Sequence, residues 1–246
     1  MSYTPIRVYG KNTILAILAK RPNDISLLYH IGNDEDVNKT IQKYSNIPQQ
    51  IVRPEWFDKH IKKASHQYIA ADLRTLIKTW TIHDVLEQMP DNIIILDQIN
   101  DIGNLGAIIR TTANFGVTAI IVTRDNSASV NSMVAKIASG GLEYTNIIYV
   151  NNLAQTIRTL QKYQYVCIGL SDSANMSIID VCSNTNDKYV FCFGAEEVGL
   201  RRLTKVTCDY LAYIPNNAEF PVMNIAHAVT SVLTIVQVRD IINIKK

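Results

Sequence analysis

The chain has 246 residues, of which 47% are hydrophobic and 19% charged, and this composition suits a globular protein with a sizeable core and room for two domains. We see no apolar run of the roughly 18 residues that a membrane helix needs, and the N-terminal MSYTPIRVYG has no apolar core of a signal peptide. The four cysteines show no C-x-x-C spacing, so we expect reduced, buried thiols and no metal site. These features predict a cytoplasmic protein without a membrane partner.

The formal net charge is only +2, and it is unevenly spread along the chain. Residues 1–90 contain 12 Lys and Arg against 9 Asp and Glu, whereas residues 91–246 contain 12 against 13. The mild positive excess in the first part fits a surface that meets an anionic partner, and it also fits an ordinary solvated surface. The charge alone leaves both interpretations open.

The first part of the chain alternates short helical and strand patterns. Helical spacing predicts helices over residues 12–20, 34–44 and 54–67, and apolar runs predict strands at ISLLYHI, QQIVR and YIAADL. The stretch that follows is weakly patterned and ends in Met-Pro-Asp, so we predict a linker there. The predicted organisation is a small N-terminal α/β domain over 1–73, a linker over 74–90 and a second domain over 91–246.

The second part has a clearer rhythm of buried strands and helices. NIIIL, TAIIV, NIIYV, YVCIGL, YVFCF and YLAYI are near-continuous apolar runs, which are typical of parallel strands covered on both faces. Helical patterns separate most of these runs, over residues 105–114, 131–139, 153–162, 199–205 and 224–240. The pattern predicts an open α/β sheet, and ligands of such sheets bind beyond the carboxyl ends of the strands. We therefore expect the functional residues just after NIIIL, YVFCF and YLAYI.

The first of these loops lies in DNIIILDQINDIGNLGAIIRTTANFG, which predicts a strand, a turn and a helix. A dinucleotide-binding turn needs G-x-G-x-x-G directly after the strand, and the glycines here do not have that spacing. Asn104 is the expected N-cap of the helix. Arg110 is expected to lean back towards Asn104, which would make a polar pair suited to a phosphate or an alkoxide. A capping residue and an Arg paired with a surface carboxylate fit the same spacing.

The second loop, FGAEEVGLRRLTK, places Gly194 at the end of a strand, where a ligand can approach the backbone, and Glu196 just beyond it. A tight turn with acidic residues at a helix start explains the same residues. The third loop, YIPNNAEFPVMNIAHAVTSVL, is stiffened by two prolines. Asn224 is the expected N-cap of the last helix, which is the commonest role of Asn at such a position.

Taken together, DQINDIGNLGAIIRT, FGAEEVGL and IPNNAEFPVMNIA resemble the three motifs of the SpoU family, the 2′-O-ribose RNA methyltransferases of the SPOUT class. The early VYGKNTI and SHQYIAA segments resemble the small RNA-binding domain of the RlmB- and TrmH-like branch of that family. The resemblance covers nearly the whole chain. It implies a mostly parallel α/β sheet with a deep trefoil knot, and a homodimer formed through the C-terminal domain.

The resemblance also implies a reaction, the transfer of a methyl group from S-adenosylmethionine to a ribose 2′-hydroxyl. Guanosine in large-subunit ribosomal RNA is the favoured substrate, and transfer RNA (tRNA) is the second candidate. The family holds its cofactor in the knot, largely by backbone groups. The matching cofactor-binding positions are Gly194, Ile214 and Met223, and the matching catalytic positions are Asn104, Arg110, Glu196 and Asn224.

The third motif departs from the family pattern, most mildly at Met223, where the family usually has Leu. Ala218 stands where the family usually has Gly, and Val222 and Ala226 stand where it has Ser. The lost hydroxyls motivate an alternative, a non-catalytic RNA-binding or ribosome-assembly factor on the same fold. A nucleotide-binding oxidoreductase, argued from the sheet alone, is opposed by the broken glycine pattern.

The basic run KHIKKASH is a candidate RNA contact in the first domain. Its residues Lys59, Lys62, Lys63 and His66 would meet the phosphate backbone. A solvated helix face explains the same run of charges, so both interpretations stay open.

Overall fold

A computed structural model of the chain describes residues 5–61, 65–184, 187–217, 219 and 222–244, with the backbone alone at 243 and 244. The N-terminal part forms a four-stranded sheet in the order β1-β4-β2-β3, in which only the β2 and β3 pair is parallel. Its elements are β1 (Ile6–Tyr9), α1 (Lys11–Lys20), β2 (Ile25–His30), α2 (Glu35–Gln42), β3 (Gln49–Ile51), α3 (Pro54–His60) and β4 (Ile69–Leu73).

Alternation along these strands divides the N-terminal domain into two apolar layers. Val8 and Leu28 face one side of the sheet and pack with buried residues of α1 and α2. Tyr9 and Tyr29, their neighbours in sequence, face the other side and pack with Phe57 of α3. Helices therefore cover both faces of this small sheet.

The C-terminal part forms a seven-stranded sheet in the order β7-β6-β5-β10-β8-β11-β9, and each neighbouring pair of strands in it is parallel. Its strands are β5 (Asn92–Asp97), β6 (Ala119–Thr123), β7 (Asn146–Val150), β8 (Tyr165–Leu170), β9 (Met176–Ser177), β10 (Lys188–Gly194) and β11 (Tyr210–Tyr213). Its helices are α5 (Ile102–Asn114), α6 (Ser132–Ala138), α7 (Leu153–Lys162), α8 (Ile178–Val181), α9 (Arg202–Thr207) and α10 (Ile225–Ile244).

Both faces of the large sheet are buried, as the continuous apolar runs indicate. Ile94 and Leu96 of β5 pack with buried residues of α5 and α10 on one face. Ile93 and Ile95 pack with residues of α7 on the other. The predicted α/β class with its mostly parallel sheet is thus confirmed, and all six predicted strands form.

Some elements differ from the sequence-based expectations. The third helix ends at His60, because Ile61 leaves the helical region of backbone conformation, and its predicted continuation lies partly at residues 62–64, outside the described residues. Strands β1 and β9 and helix α8 were not predicted, and each has at most four residues, too few to show a period. Helix α4 (Ile82–Gln88) forms within the predicted linker, where a capping box between Thr81 and Asp84 begins it.

Helix α10 is not detected by a search for apolar runs in the sequence. Its window Ile225–Ile242 is long and apolar enough to cross a membrane by length and composition. Polar residues interrupt this window, so it shows no unbroken apolar run. Val229, Val232, Leu233 and Val236 are buried in the core against the large sheet, and this packing accounts for much of the apolar composition of the helix.

The two domains are in direct contact where α1 and the residue after it meet α6 and the segment that follows α6. Arg21 donates to both carboxylate oxygens of Glu143, at 2.7 and 2.9 Å, and both side chains are buried. Thr13 donates to the carbonyl of Ala135 at 3.2 Å. A buried, bidentate ion pair of this kind fixes orientation, because breaking it would leave an uncompensated buried charge.

Candidate active site

Three of the predicted catalytic residues come together from three separate loops. Asn224 donates a side-chain N–H to the side-chain carbonyl of Asn104, at 2.8 Å, and to Glu196 Oε1, at 3.0 Å. Asn104 donates to the same Glu196 oxygen, at 3.1 Å. One carboxylate oxygen therefore accepts from both amides, and the three side chains form a closed triangle at the carboxyl edge of the large sheet.

Local helix capping places two members of this triangle. Helix α5 begins at Ile102, and the side chain of Asp101 accepts the Asn104 backbone N–H at 2.6 Å. The expectation that Asn104 is the N-cap was wrong, because Asp101 lies three residues earlier and takes that role, which leaves the Asn104 amide free for the triangle. Asn224 does cap α10, since its side-chain oxygen accepts the Ala226 N–H at 2.9 Å.

Arg110 lies apart from the triangle. It is six residues beyond Asn104 in α5, which is about 9 Å along a helix axis. Arg110 is exposed, and it has no hydrogen-bond or ion-pair partner within the part of the chain that the structure describes. The expected pairing of Arg110 with Asn104 is therefore not formed. Instead, Arg110 lines an open groove of about 710 Å³ between the domains, with Asn12, Tyr144 and Thr230 among its other lining residues.

A second cavity contains all three predicted cofactor-binding residues. Its volume is about 350 Å³, within the range of about 300–1,000 Å³ that is usual for small-molecule sites. Glu196 also lines it, so the triangle borders the cavity directly. The apolar lining includes Leu170, Phe193, Gly194, Ile214, Met223 and Ile225, and the polar lining includes Ser171, Asp172, Ser173, Lys205 and Asn216.

The wall of this cavity at Gly194 is formed by backbone alone. A Cβ atom added at Gly194 would overlap the backbone of Gly199 and Leu200. The chain turns sharply here, because Gly199 donates its N–H to the Ala195 carbonyl at 2.7 Å and adopts a φ of +68°. Such a cradle of backbone groups, between an apolar wall and a few polar side chains, fits the adenine, ribose and amino-acid parts of S-adenosylmethionine.

Asp97 is a site residue that the sequence analysis missed. It ends β5 and is buried, with Arg201 Nε donating to one carboxylate oxygen at 2.7 Å and Thr204 Oγ1 donating to the other at 2.7 Å. The Arg201 backbone N–H also donates to Asp97, at 3.2 Å. These bonds anchor the chain immediately after the Gly194–Gly199 turn. The sequence feature that could have identified Asp97 is its position as an acidic residue at the end of an otherwise apolar strand.

The predicted RNA-contact residues have different surroundings. Lys59 is exposed at the end of α3. His66 is buried, stacks on Phe57 with ring centroids 4.9 Å apart, and accepts the Tyr68 backbone N–H at Nδ1. Lys62 and Lys63 lie outside the described residues.

The departures in the third motif leave the triangle intact. Val222 is 77% exposed, whereas Ala226 is buried and donates its backbone N–H to Asn224. Ala218 lies outside the described residues. At the two described positions the substitutions remove hydroxyl groups without displacing Asn224 from Glu196.

The cysteines are free, and three of the four are buried. Burial raises the pKa of the Cys182 thiol to about 12 and also raises that of Cys167, so both remain protonated at neutral pH. Cys208 is only half-buried, which departs from the expectation that all four are buried. Over the described ranges, the chain has no group of three or more His, Cys, Asp or Glu residues that could hold a metal ion.

Comparison with known proteins agrees with this geometry. Residues 91–234 match the model of the SpoU rRNA Methylase family, and residues 7–77 match the model described as RNA 2'-O ribose methyltransferase substrate binding. Two relatives named 23S rRNA (guanosine-2'-O-)-methyltransferase RlmB, from Blochmanniella floridana and Neisseria meningitidis serogroup B, are each 33% identical over 233 residues. The alignment covers 90% of both chains in the first case and 92% of both in the second.

A solved structure shares the fold. The SpoU methyltransferase AviRb from Streptomyces viridochromogenes, in complex with the cofactor AdoMet, aligns with a TM-score of 0.78 at 18% identity, over 96% of this chain and 90% of that one. The family-model matches and the relatives agree with the three motifs and with the cavity beside Glu196. The chain belongs to the SpoU family of S-adenosylmethionine-dependent RNA 2′-O-ribose methyltransferases.

Proposed function

We propose that the chain methylates the ribose 2′-hydroxyl of a guanosine in 23S ribosomal RNA. The observation that carries this proposal is the double role of Glu196, which lines the 350 Å³ cavity and accepts hydrogen bonds from Asn104 and Asn224. A site for the methyl donor and a site that can orient a ribose therefore share one residue. The names of the relatives support guanosine in 23S rRNA over tRNA.

Each residue has a distinct proposed role. S-adenosylmethionine supplies an activated methyl group when bound against Gly194, Ile214 and Met223. Arg110 is exposed and unpaired in the described part of the chain, so its guanidinium is free to grip the adjacent phosphate or to stabilise the alkoxide that develops at the 2′-oxygen. The triangle of Asn104, Glu196 and Asn224 would hold the ribose in line with the cofactor cavity.

The division of labour along the chain is also a proposal. Residues 1–73 would bind RNA, 74–90 would connect, and 91–246 would carry the catalytic site. The two family-model matches, over 7–77 and 91–234, support a division into two domains, and the first match extends four residues into the proposed linker. Lys59, Lys62, Lys63 and His66 stay in the proposed RNA-binding set, although the burial of His66 gives it less access to RNA than Lys59 has.

We further propose that the C-terminal domain is knotted and forms a homodimer in the cytoplasm. A knot is rare among folds, and the family resemblance is what supports it here. Val238, Ile241 and Ile242 on α10 are each about half exposed, at 47%, 49% and 52%, and exposed apolar residues at helical spacing favour a protein interface. An Ile241→Glu variant that sediments as a monomer would support this dimer, and one with unchanged mass would oppose it.

Methyl transfer from labelled S-adenosylmethionine to RNA tests the proposed function. The acceptors are unmodified 23S rRNA, unmodified tRNA and 23S rRNA carrying 2′-deoxyguanosine at the labelled site, once that site has been mapped. Label should enter only the first. Transfer to tRNA alone would overturn the substrate assignment. RNA binding without cofactor binding would instead favour the non-catalytic factor that the altered third motif suggests.

A further inference from the structure

A stack of aromatic rings lies on the N-terminal domain, outside the site described above. Trp56 and His60 are four residues apart on α3 and so share a face of that helix. Trp56 stacks with Tyr29, with ring centroids 4.3 Å apart, and with His60, with centroids 4.4 Å apart, at 23° between planes in both pairs. The rings lead from buried Tyr29 through half-buried Trp56 to exposed His60.

Charged groups hold this aromatic stack in place. The Arg7 guanidinium lies 4.9 Å from the Tyr29 ring centroid and 5.1 Å from that of Trp56. Arg7 pairs with Asp72 through two hydrogen bonds of 2.7 and 2.8 Å, and the Tyr29 hydroxyl donates to Asp72 at 2.9 Å. The stack is therefore pre-ordered, so that little conformational freedom is left to lose when a further ring is added.

The outer ring of the stack has a defined orientation. His60 Nδ1 lies 2.7 Å from the Trp56 carbonyl oxygen. A carbonyl can only accept, so Nδ1 carries the proton and Nε2 of the neutral ring is left as an acceptor. Beside this ring is a cavity of about 290 Å³, lined by Arg7, Tyr9, His60, Ile61 and Ser132.

This cavity lies at the same edge of the large sheet as the catalytic triangle. Ser132 begins α6, which follows β6, and its hydroxyl donates to the Arg7 carbonyl at 2.5 Å. β6 is the parallel neighbour of β5, so the loops that leave both strands emerge at one edge. The loop after β5 leads to Asn104. An RNA strand crossing that edge can reach both places.

We propose that this aromatic stack is a platform for an unpaired base of the substrate RNA, which lies against His60 in the 290 Å³ cavity. Proteins read single-stranded RNA by stacking splayed bases on aromatic, His and Arg side chains. Packing within the domain accounts for the burial of Tyr29, but it does not require an exposed ring at His60. Lys59, exposed beside His60, adds a cation for the adjoining phosphate. The inference deepens the proposed function and rests on RNA being the substrate.

Three variants test the platform. His60→Ala removes the exposed ring, and His60→Phe keeps a flat ring. His83→Ala is a control at an exposed His that lies outside the stack and 3.3 Å from Glu87. Binding of unmodified 23S rRNA, and of a short single-stranded RNA and its duplex, is measured at fixed salt. The KM for 23S rRNA and the kcat at saturating RNA are measured alongside.

His60→Ala should weaken binding to 23S rRNA and to the single strand by about tenfold, the size expected for one lost stacking partner. Duplex binding, kcat and S-adenosylmethionine affinity should not change, and His60→Phe should restore the loss. Binding by His60→Ala within twofold of the parent chain, or no rescue by His60→Phe, would overturn the platform. Failure of the parent chain to transfer methyl groups would instead count against the proposed function, because the binding assays do not require catalysis.

Discussion

Asn104 and Asn224 are 120 residues apart in the chain, and a 2.8 Å hydrogen bond joins their side-chain amides. The bond exists because α5 and α10 both start at the carboxyl edge of the sheet, where Asp101 and Asn224 cap them. Glu196 closes the triangle from the loop after β10. Asn104 of the first motif and Asn224 of the third motif both bond to Glu196 of the second. A substitution at any of these three residues should therefore affect catalysis.

Asn224→Asp tests the triangle. The substitution removes both N–H donors and puts a second carboxylate beside Glu196, so the two acidic groups repel each other. We expect kcat at saturating S-adenosylmethionine to fall by roughly tenfold or more, the range for a misplaced orienting group. Asn151→Asp, at an exposed Asn whose side-chain oxygen accepts from Arg124, is the control. Unchanged kcat in Asn224→Asp would show that the triangle does not orient the ribose for methyl transfer.

Arg110→Lys tests the role of the guanidinium. Lys keeps the charge but lacks the planar fork that can grip a phosphate or a developing alkoxide. We expect kcat to fall by about a hundredfold, as when one transition-state donor is removed, while S-adenosylmethionine still binds. Arg158→Lys, at an exposed position on α7, should be fully active. A fully active Arg110→Lys protein would mean that charge alone suffices or that another residue does this work.

Gly194→Ala tests the cofactor cradle. The new methyl group would overlap the backbone of Gly199 and Leu200, so the turn must open and the cavity wall must move. We expect loss of saturable S-adenosylmethionine binding in calorimetry while the far-ultraviolet circular dichroism spectrum stays that of a folded chain. Gly116→Asn is the control, because an added Cβ there meets no atom within 4 Å and Asn tolerates its φ of +73°. Normal binding by Gly194→Ala would place the cofactor elsewhere.

Asp97→Ala tests the anchor behind that turn. Loss of the carboxylate leaves the Thr204 hydroxyl without its acceptor and frees Arg201. We expect the free energy of unfolding to fall by about 1–3 kcal/mol, the usual cost of an unsatisfied buried group, and the affinity for S-adenosylmethionine to fall with it. Asp125→Ala, at an exposed Asp, should change neither quantity. Weakened stability with unaltered affinity would separate Asp97 from the cofactor site.

His30 predicts a dependence of stability on pH. Burial lowers the pKa of His30 below its ordinary value of 6.5. Protons therefore bind more readily to the unfolded chain than to the folded one. His30 does not lower the free energy of unfolding well above pH 6.5, and it lowers that free energy progressively as the pH falls below 6.5. The urea midpoint should drop between about pH 7 and pH 5, and the drop should be smaller in His30→Leu. His83→Gln, which replaces an exposed ring, is the control. Equal slopes in all three proteins would contradict this.

The sequence predicts the large sheet well because its strands are buried on both faces. Runs such as NIIIL and YVFCF carry that information in their composition alone, without their partners. The capping of α5 was harder to predict, since Asp101 and Asn104 are both good caps and only the backbone path selects the first. The interdomain ion pair of Arg21 and Glu143 could not be predicted from the sequence, because a contact between residues that are distant in the chain leaves no local pattern.

The site was predictable in part for the same reason. The motif positions identified Glu196 and Asn224, but their shared hydrogen bonds depend on the relative placement of two loops. Arg110 shows the limit of helical spacing as an argument, because its side chain lines the interdomain groove and does not join Asn104. The Trp56 and His60 pair was detectable as an i, i+4 pair on a predicted helix, but its link to Tyr29 required the fold.

The most direct test of the account is the identity of the modified nucleoside. Unmodified 23S rRNA is incubated with the protein and S-adenosylmethionine, digested to nucleosides and analysed by mass spectrometry, with Arg110→Lys as a parallel sample. We expect 2′-O-methylguanosine from the parent protein and about a hundredfold less from the variant. A methyl group on a base, or no methylated nucleoside from a folded protein that binds the RNA, would contradict it.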